Sequence, residues 1–228
     1  MNPALSNARL AGWLVYVGIF SALAYAGRFA VEEEDRVEEP LYRIETAVLG
    51  AVQFSIMIGI VLLICMRAPK AELLALRRPR SWPGALGVSV GVLVAVFVLG
   101  AVIGQVLDLD PSEEQGLLPD VWDPDRAVAL ALNAAVVVIG APIVEELTFR
   151  GIGFTLLLRF GRWVAIFGTA LAFGFAHGLV EAFPLLFAFA VGLAILRDRS
   201  DSVYPCILLH GVFNSLALGF ALLAADPG

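Results

Sequence analysis

Long apolar runs separated by short charged ones recur along this chain. A membrane span takes about 20 mostly apolar residues, and seven stretches reach or approach that length: 10–30, 47–66, 82–106, 127–149, 163–180, 182–196 and 203–224. The pattern predicts an all-α, polytopic transmembrane helix bundle of about seven spans. It reads as a single integrated membrane domain over 1–228, with helices and loops that carry no motif over 1–126 and a motif-bearing core over 127–224.

Composition agrees with that reading. Hydrophobic residues make up 60% of the chain and charged ones 16%, with a mean hydropathy of +0.87. A soluble domain would have about 45–50% and about 25%. The net charge of −6 and the lack of a basic cluster with interleaved aromatics argue against nucleic acid as a partner; the lipid bilayer is the partner to expect. Cys65 and Cys206 lie in apolar segments without metal-type spacing and are expected to be reduced and structural. The first apolar run is as long as a full span and has no small-residue cleavage site, so it is read as a helix and not as a signal peptide.

Charge placement orients the bundle. Arg67, Lys70, Arg77, Arg78 and Arg80 crowd the second connection, Arg159 and Arg162 the fourth, and Arg197 and Arg199 the sixth. Acidic residues fill the first connection (32–39) and the third (108–125). Basic loops remain cytoplasmic, which puts the N-terminus in the cytoplasm and the C-terminus outside. The polar segment 28–45 is read as a solvated loop, with an amphipathic cap over the bundle as the alternative.

Against this background a few polar residues stand inside apolar runs. Glu145 and Glu146 follow a charge-free run from Ala127 and precede Arg150, and the chain's two histidines, His177 and His210, lie in long apolar stretches. Ionisable groups in hydrocarbon are costly, face an interior cavity and usually do chemistry or transport. Depth counting brings them together. At about 1.5 Å per residue from Arg159 and Arg162, Glu145 and His177 both lie about 21–23 Å deep. Counted from Arg199, His210 and Asn214 lie about 16–22 Å deep. This requires the fourth helix to continue past Arg150 through Gly151 and Gly153. Pro142 should free a backbone carbonyl near residue 138 that a neighbour must satisfy.

Helical spacing adds local detail. Glu146 and Arg150 share a face and can pair, while Glu145 is turned about 100° away, into the predicted cavity. Phe173 shares a face with His177, and His210 with Asn214. The bland reading of Glu146–Arg150 is a structural ion pair. Gln53 and Asn133 read as background helix–helix hydrogen bonding, and Glu181 as part of an outer turn before Pro184.

In order and separation, EExxxR (Glu145, Glu146, Arg150), FxxxH (Phe173, His177) and HxxxN (His210, Asn214) resemble the CPBP family of intramembrane proteases. That family includes the type II CAAX prenyl endopeptidases and bacteriocin-processing or self-immunity proteins. The resemblance covers roughly 127–220. It implies an endopeptidase acting on a membrane-associated or lipid-modified protein or peptide, in a bacterial cytoplasmic membrane. Glu145 would be the base that activates water, with His177 beside it. His210 and Asn214 would stabilise the oxyanion, and Glu146, Arg150 and Phe173 would support the site. A carboxylate in a low-dielectric cavity suits a base, and Asn and His side chains are good oxyanion donors.

Family members are often labelled metalloproteases, and Glu145, His177 and His210 could supply three ligands to zinc. However, HExxH is absent, and the same residues suffice without a metal. A proton-coupled transporter would use such residues as a relay, but the chain has no visible internal repeat. The remaining alternative is a non-catalytic scaffold or immunity protein.

Overall fold

A computed structural model of the chain describes residues 5–30, 39–107 and 123–224. Among the described residues every regular element is helical, as lipid demands: without water, backbone donors and acceptors must pair within the segment. The helices are α1 (Asn7–Ala30), α2 (Ile44–Ile64), a short α3 (Lys70–Leu73), α4 (Trp82–Leu107), α5 (Pro124–Phe160), α6 (Arg162–Ala176), α7 (Phe183–Ser200) and α8 (Tyr204–Ala224). Five of them, α1, α2, α4, α5 and α8, are long and apolar enough to cross a membrane. The acidic connections fall largely outside the described residues, as does 31–38 of the 28–45 segment.

Each of the seven apolar stretches contains a helix, but three boundaries differ from the sequence pattern. The fourth stretch does not stop at 149: α5 runs unbroken to Phe160. It does so because Arg150 is buried and paired, and because the glycines beyond it are absorbed into a π-turn, Leu147–Gly153. The fifth stretch ends early. Gly178 takes a left-handed conformation (φ 65°), its N–H bonding back to the Phe175 carbonyl at 3.2 Å, so α6 stops at Ala176 and His177 caps it. The sixth runs on past Arg197 to Ser200, where Asp201 turns left-handed (φ 55°) and its N–H closes on the Arg197 carbonyl at 2.9 Å.

Two apolar clusters hold the bundle together. The larger joins Trp13, Tyr16 and Val17 of α1 to Met57 and Val61 of α2, to Val144, Phe149, Ile152 and Leu156 of α5, and to Phe173 of α6. The second joins Ala85 and Val96 of α4 to Phe189, Leu193 and Leu196 of α7 and to Cys206 and Leu209 of α8. Leu14, Val15, Leu49, Leu63, Leu86, Val94 and Val98 face outward, as residues turned towards hydrocarbon do. Cys65 and Cys206 are buried and free.

The basic end is tied by ions: Asp201 meets Arg77 at 2.7 Å and Arg197 at 3.2 Å, and Arg162 meets Asp198 at 2.9 Å. At the other end the turn Pro40–Tyr42 is docked. Leu41 and Tyr42 are buried, and Asn133 donates to the Leu41 carbonyl at 3.0 Å and the Arg43 carbonyl at 2.9 Å. Within segment 28–45, Leu41 and Tyr42 are therefore packed down rather than solvated, whereas Phe29, Arg43, Ile44 and Glu45 are exposed, and Asn133 is the anchor of the Pro40–Tyr42 turn rather than background. Glu181 is exposed in the turn before α7.

Packing of α4 on α7 is close enough to be tested. A Cβ on Gly192 would lie 2.5 Å from Val92 Cγ1, whereas one on Gly59 meets nothing within 4 Å. Gly192→Ala should lower stability by about 1–3 kcal/mol through overpacking, read as an earlier thermal transition in detergent. Gly59→Ala should not lower it.

Candidate active site

Polar groups that α5, α6 and α8 carry face one cavity of about 360 Å³. Glu145, His177, His210 and Asn214 line it, together with Phe173, Phe189, Phe213 and the aliphatic Leu41, Leu179, Leu186 and Leu218. Glu145 Oε2 stands 3.9 Å from His177 Nε2 and 3.9 Å from His210 Nε2. That oxygen is buried and has no hydrogen-bond partner in the protein. The predicted 100° offset therefore places Glu145 in the cavity, while Glu146 turns inward.

Glu146 is fully buried. Its Oε1 accepts from Arg150 Nη1 at 3.0 Å and meets His210 Nδ1 at 2.9 Å. Arg150 is also fully buried: Nη2 donates to the Ala190 carbonyl of α7 at 2.9 Å, and its guanidinium lies 4.7 Å from the centre of the Phe173 ring. The ion pair expected from spacing is present. Its bond to His210, sixty-four residues away, is an addition that spacing could not disclose.

Each imidazole is held through its Nδ1. His177 Nδ1 lies 2.8 Å from the Phe173 carbonyl, which only accepts, so Nδ1 carries the hydrogen and Nε2 is turned to the cavity. His210 Nδ1 is engaged by Glu146, leaving Nε2 free in the same way. Phe173 walls the site, its ring centre 4.5 Å from that of His177 and 5.7 Å from that of His210. Phe189 stands edge-on to His210 at 5.5 Å.

Asn214 has a second task. Pro142 follows a π-turn, Val136–Gly140, where the ladder reaches five residues back instead of four. Proline lacks the N–H that would have met the carbonyl at 137. Asn214 Nδ2 donates to that Val137 carbonyl at 2.9 Å. The freed carbonyl expected near residue 138 is therefore present one position earlier, and its partner is a side chain of the site.

Donors of the kind zinc takes are present, but their spacing does not suit it. Among the described residues no group of three His, Cys, Asp or Glu side chains is arranged to hold a metal ion. The two 3.9 Å separations exceed the edge of about 3.3 Å that tetrahedral bonds of about 2.0–2.1 Å would give.

Removing one partner of the buried pair leaves the other charge stranded. Arg150→Met should cost about 3–5 kcal/mol, measured by denaturation in detergent. Most of that loss should return in the Glu146→Gln, Arg150→Met double variant, which buries no charge at these positions.

Comparison with known proteins adds one match. Residues 127–216 match the family model described as type II CAAX prenyl endopeptidase Rce1-like. No curated protein and no solved structure matches the chain. The matched stretch contains Glu145, Glu146, Arg150, Phe173, His177, His210 and Asn214, and it supports the resemblance of this part of the chain to the CPBP/CAAX protease family.

Proposed function

We propose that the chain is an intramembrane endopeptidase whose hydrolytic water is activated by Glu145. The observation that carries this reading is the unpartnered Oε2 of Glu145, buried and equidistant from the Nε2 atoms of two imidazoles in one cavity. A separation of 3.9 Å is too long for a direct hydrogen bond and suits one water between the groups. The water's oxygen attacks the scissile carbonyl carbon while its proton passes to Glu145 Oε2. His177, with Nδ1 held by the Phe173 carbonyl, turns Nε2 to the same water and orients it. The proton on Glu145 is then delivered to the leaving amine as the C–N bond breaks.

The oxyanion formed on attack needs donors. Asn214 has two amide hydrogens; one holds the Val137 carbonyl and the other is left for the oxyanion. For His210 the role requires both ring nitrogens to carry hydrogen, Nδ1–H on Glu146 and Nε2–H towards the cavity. The apolar rings around them keep bulk water from competing for these bonds.

The topology proposed is seven spans with a cytoplasmic N-terminus, in a bacterial cytoplasmic membrane. Positive charge at one end of the bundle supports the orientation. That orientation does not depend on how far the α6–α7 hairpin reaches, because a hairpin returns the chain to the side it left. The substrate proposed is a membrane-associated or lipid-modified protein or peptide, entering between the apolar side chains that line the cavity.

The test compares the membrane and secreted proteomes of a deletion strain with those of strains carrying wild type or Glu145→Ala. Substrates should accumulate uncut in the deletion and Glu145→Ala strains alike, with the variant inserted and folded. Normal processing by folded Glu145→Ala would remove the assigned base. With a substrate in hand, Asn214→Ala should lower kcat on the order of 10²–10³-fold, the loss of one oxyanion donor. Cleavage should also persist in a strong chelator; loss that zinc restores would replace this mechanism with a metal one.

A further inference from the structure

The π-turn Leu147–Gly153 begins at the residue after Glu146 and contains Arg150. Two of its carbonyls accept bonds from outside α5. The indole Nε1 of Trp13, on α1, donates to the Thr148 carbonyl at 2.9 Å, and Nε of Arg197, on α7, donates to the Arg150 carbonyl at 3.0 Å. Both donors are buried, at 1% and 3% exposure. Neither lines the cavity, and α1 contributes no side chain to its lining.

Glycines fit the turn to these partners. A Cβ on Gly153 would fall 2.5 Å from the Trp13 ring, and one on Gly151 would fall 3.2 Å from Leu74 Cα. The downstream half of the turn is therefore seated against fixed neighbours. A π-turn inserts one residue into an α-helix, and one residue is about 100° of rotation. Relaxation to α-helix, with the downstream half held, would rotate the upstream half by about that angle. Glu145 would leave the cavity, and Glu146 would leave His210.

We propose that Trp13 and Arg197 are positioning residues: by donating to the Thr148 and Arg150 carbonyls they hold the π register that aims Glu145 at the cavity and Glu146 at His210. Arg197 also meets Asp201 at 3.2 Å, so the register is tied to the ionic cluster at the basic end. The proposal rests on the reading of Glu145 and His210 as reacting groups, but its geometry can be measured without any substrate.

The chain's two histidines make nitrogen-15 imidazole NMR of the full chain in detergent practical, with His177→Gln to assign the rings. Benzothienylalanine in place of Trp13 keeps the bicyclic ring and replaces only the N–H with sulfur. Trp13→Phe and Arg197→Met are the encoded counterparts, and Arg197→Lys keeps a donor. In the altered proteins the His210 Nδ1 signal should move towards that of an unbonded imidazole. The His177 signal, set by the Phe173 carbonyl within α6, should stay. Arg197→Lys should restore most of the His210 signal. On an identified substrate kcat should fall on the order of 10²-fold with KM unchanged. A folded benzothienylalanine protein with an unmoved His210 signal would overturn the proposal, leaving Trp13 and Arg197 as packing residues. Retained cleavage by Glu145→Ala would instead overturn the peptidase reading, whatever the NMR shows.

Discussion

A carboxylate and a guanidinium, both at zero exposure, hold the centre of this bundle. Burying either charge alone would cost several kcal/mol, so each takes partners from neighbouring helices, with Glu146 Oε2 and Arg150 Nε left without a hydrogen bond in the protein. Glu146 takes Arg150 and His210; Arg150 takes Glu146, the Ala190 carbonyl and the face of Phe173. These bonds join α5 to α6, α7 and α8 at one level. The pair thus links four helices, and Glu146 also holds the His210 ring that faces Glu145. A neighbouring carboxylate with no such partners, Glu145, is left to the cavity.

The same demand for partners extends to the backbone. Two π-turns and a proline interrupt the ladder of α5 within the apolar part of the bundle, and every carbonyl they turn outward needs a donor, since lipid offers none. Asn214 answers Val137, Trp13 answers Thr148, and Arg197 answers Arg150. Each donor sits on a different helix. The irregular stretches that flank the two glutamates are therefore also where α1, α7 and α8 are bonded to α5. A regular α5 would pack with less restraint and would lack these three cross-links.

Some of this was legible in the residues alone and some was not, for physical reasons. Local periodicity disclosed the apolar helices, the Glu146–Arg150 pair and the Phe173–His177 face, because those relations span one helical turn. Counting depth from the arginines placed Glu145, His177, His210 and Asn214 in one layer, because helical rise is nearly constant. The Glu146–His210 bond was hidden, since nothing in a sequence ranks which of several buried donors a carboxylate will choose. The π-turns were hidden as well: glycines and a proline in α5 mark weak points in the ladder but do not say whether it breaks, kinks or widens. Trp13 passed unremarked because an indole in an apolar run looks like any other large side chain until the carbonyl it meets is known.

One helix beside the cavity is short. α6 has 15 residues, about 22 Å of rise, against a hydrocarbon thickness of about 30 Å. Its end at Gly178 leaves His177 at the last turn, with Leu179 of the following turn in the cavity wall. Irregular backbone at such a depth is tolerated where protein covers it or a cavity lies beside it, and both hold here. On the far side the buried Pro40–Tyr42 turn places Leu41 in the same wall, held by Asn133 and by Arg126, whose guanidinium meets Glu39 at 2.6 Å and lies 4.3 Å from the Tyr42 ring. Arg126 also bonds Asp123, holding that carboxyl below the usual range. Access to the polar layer is thus framed by a helix that stops early and by a turn that the N-terminal part of the chain contributes. The segment without recognisable motifs supplies part of the enclosure in which the motif-bearing helices meet.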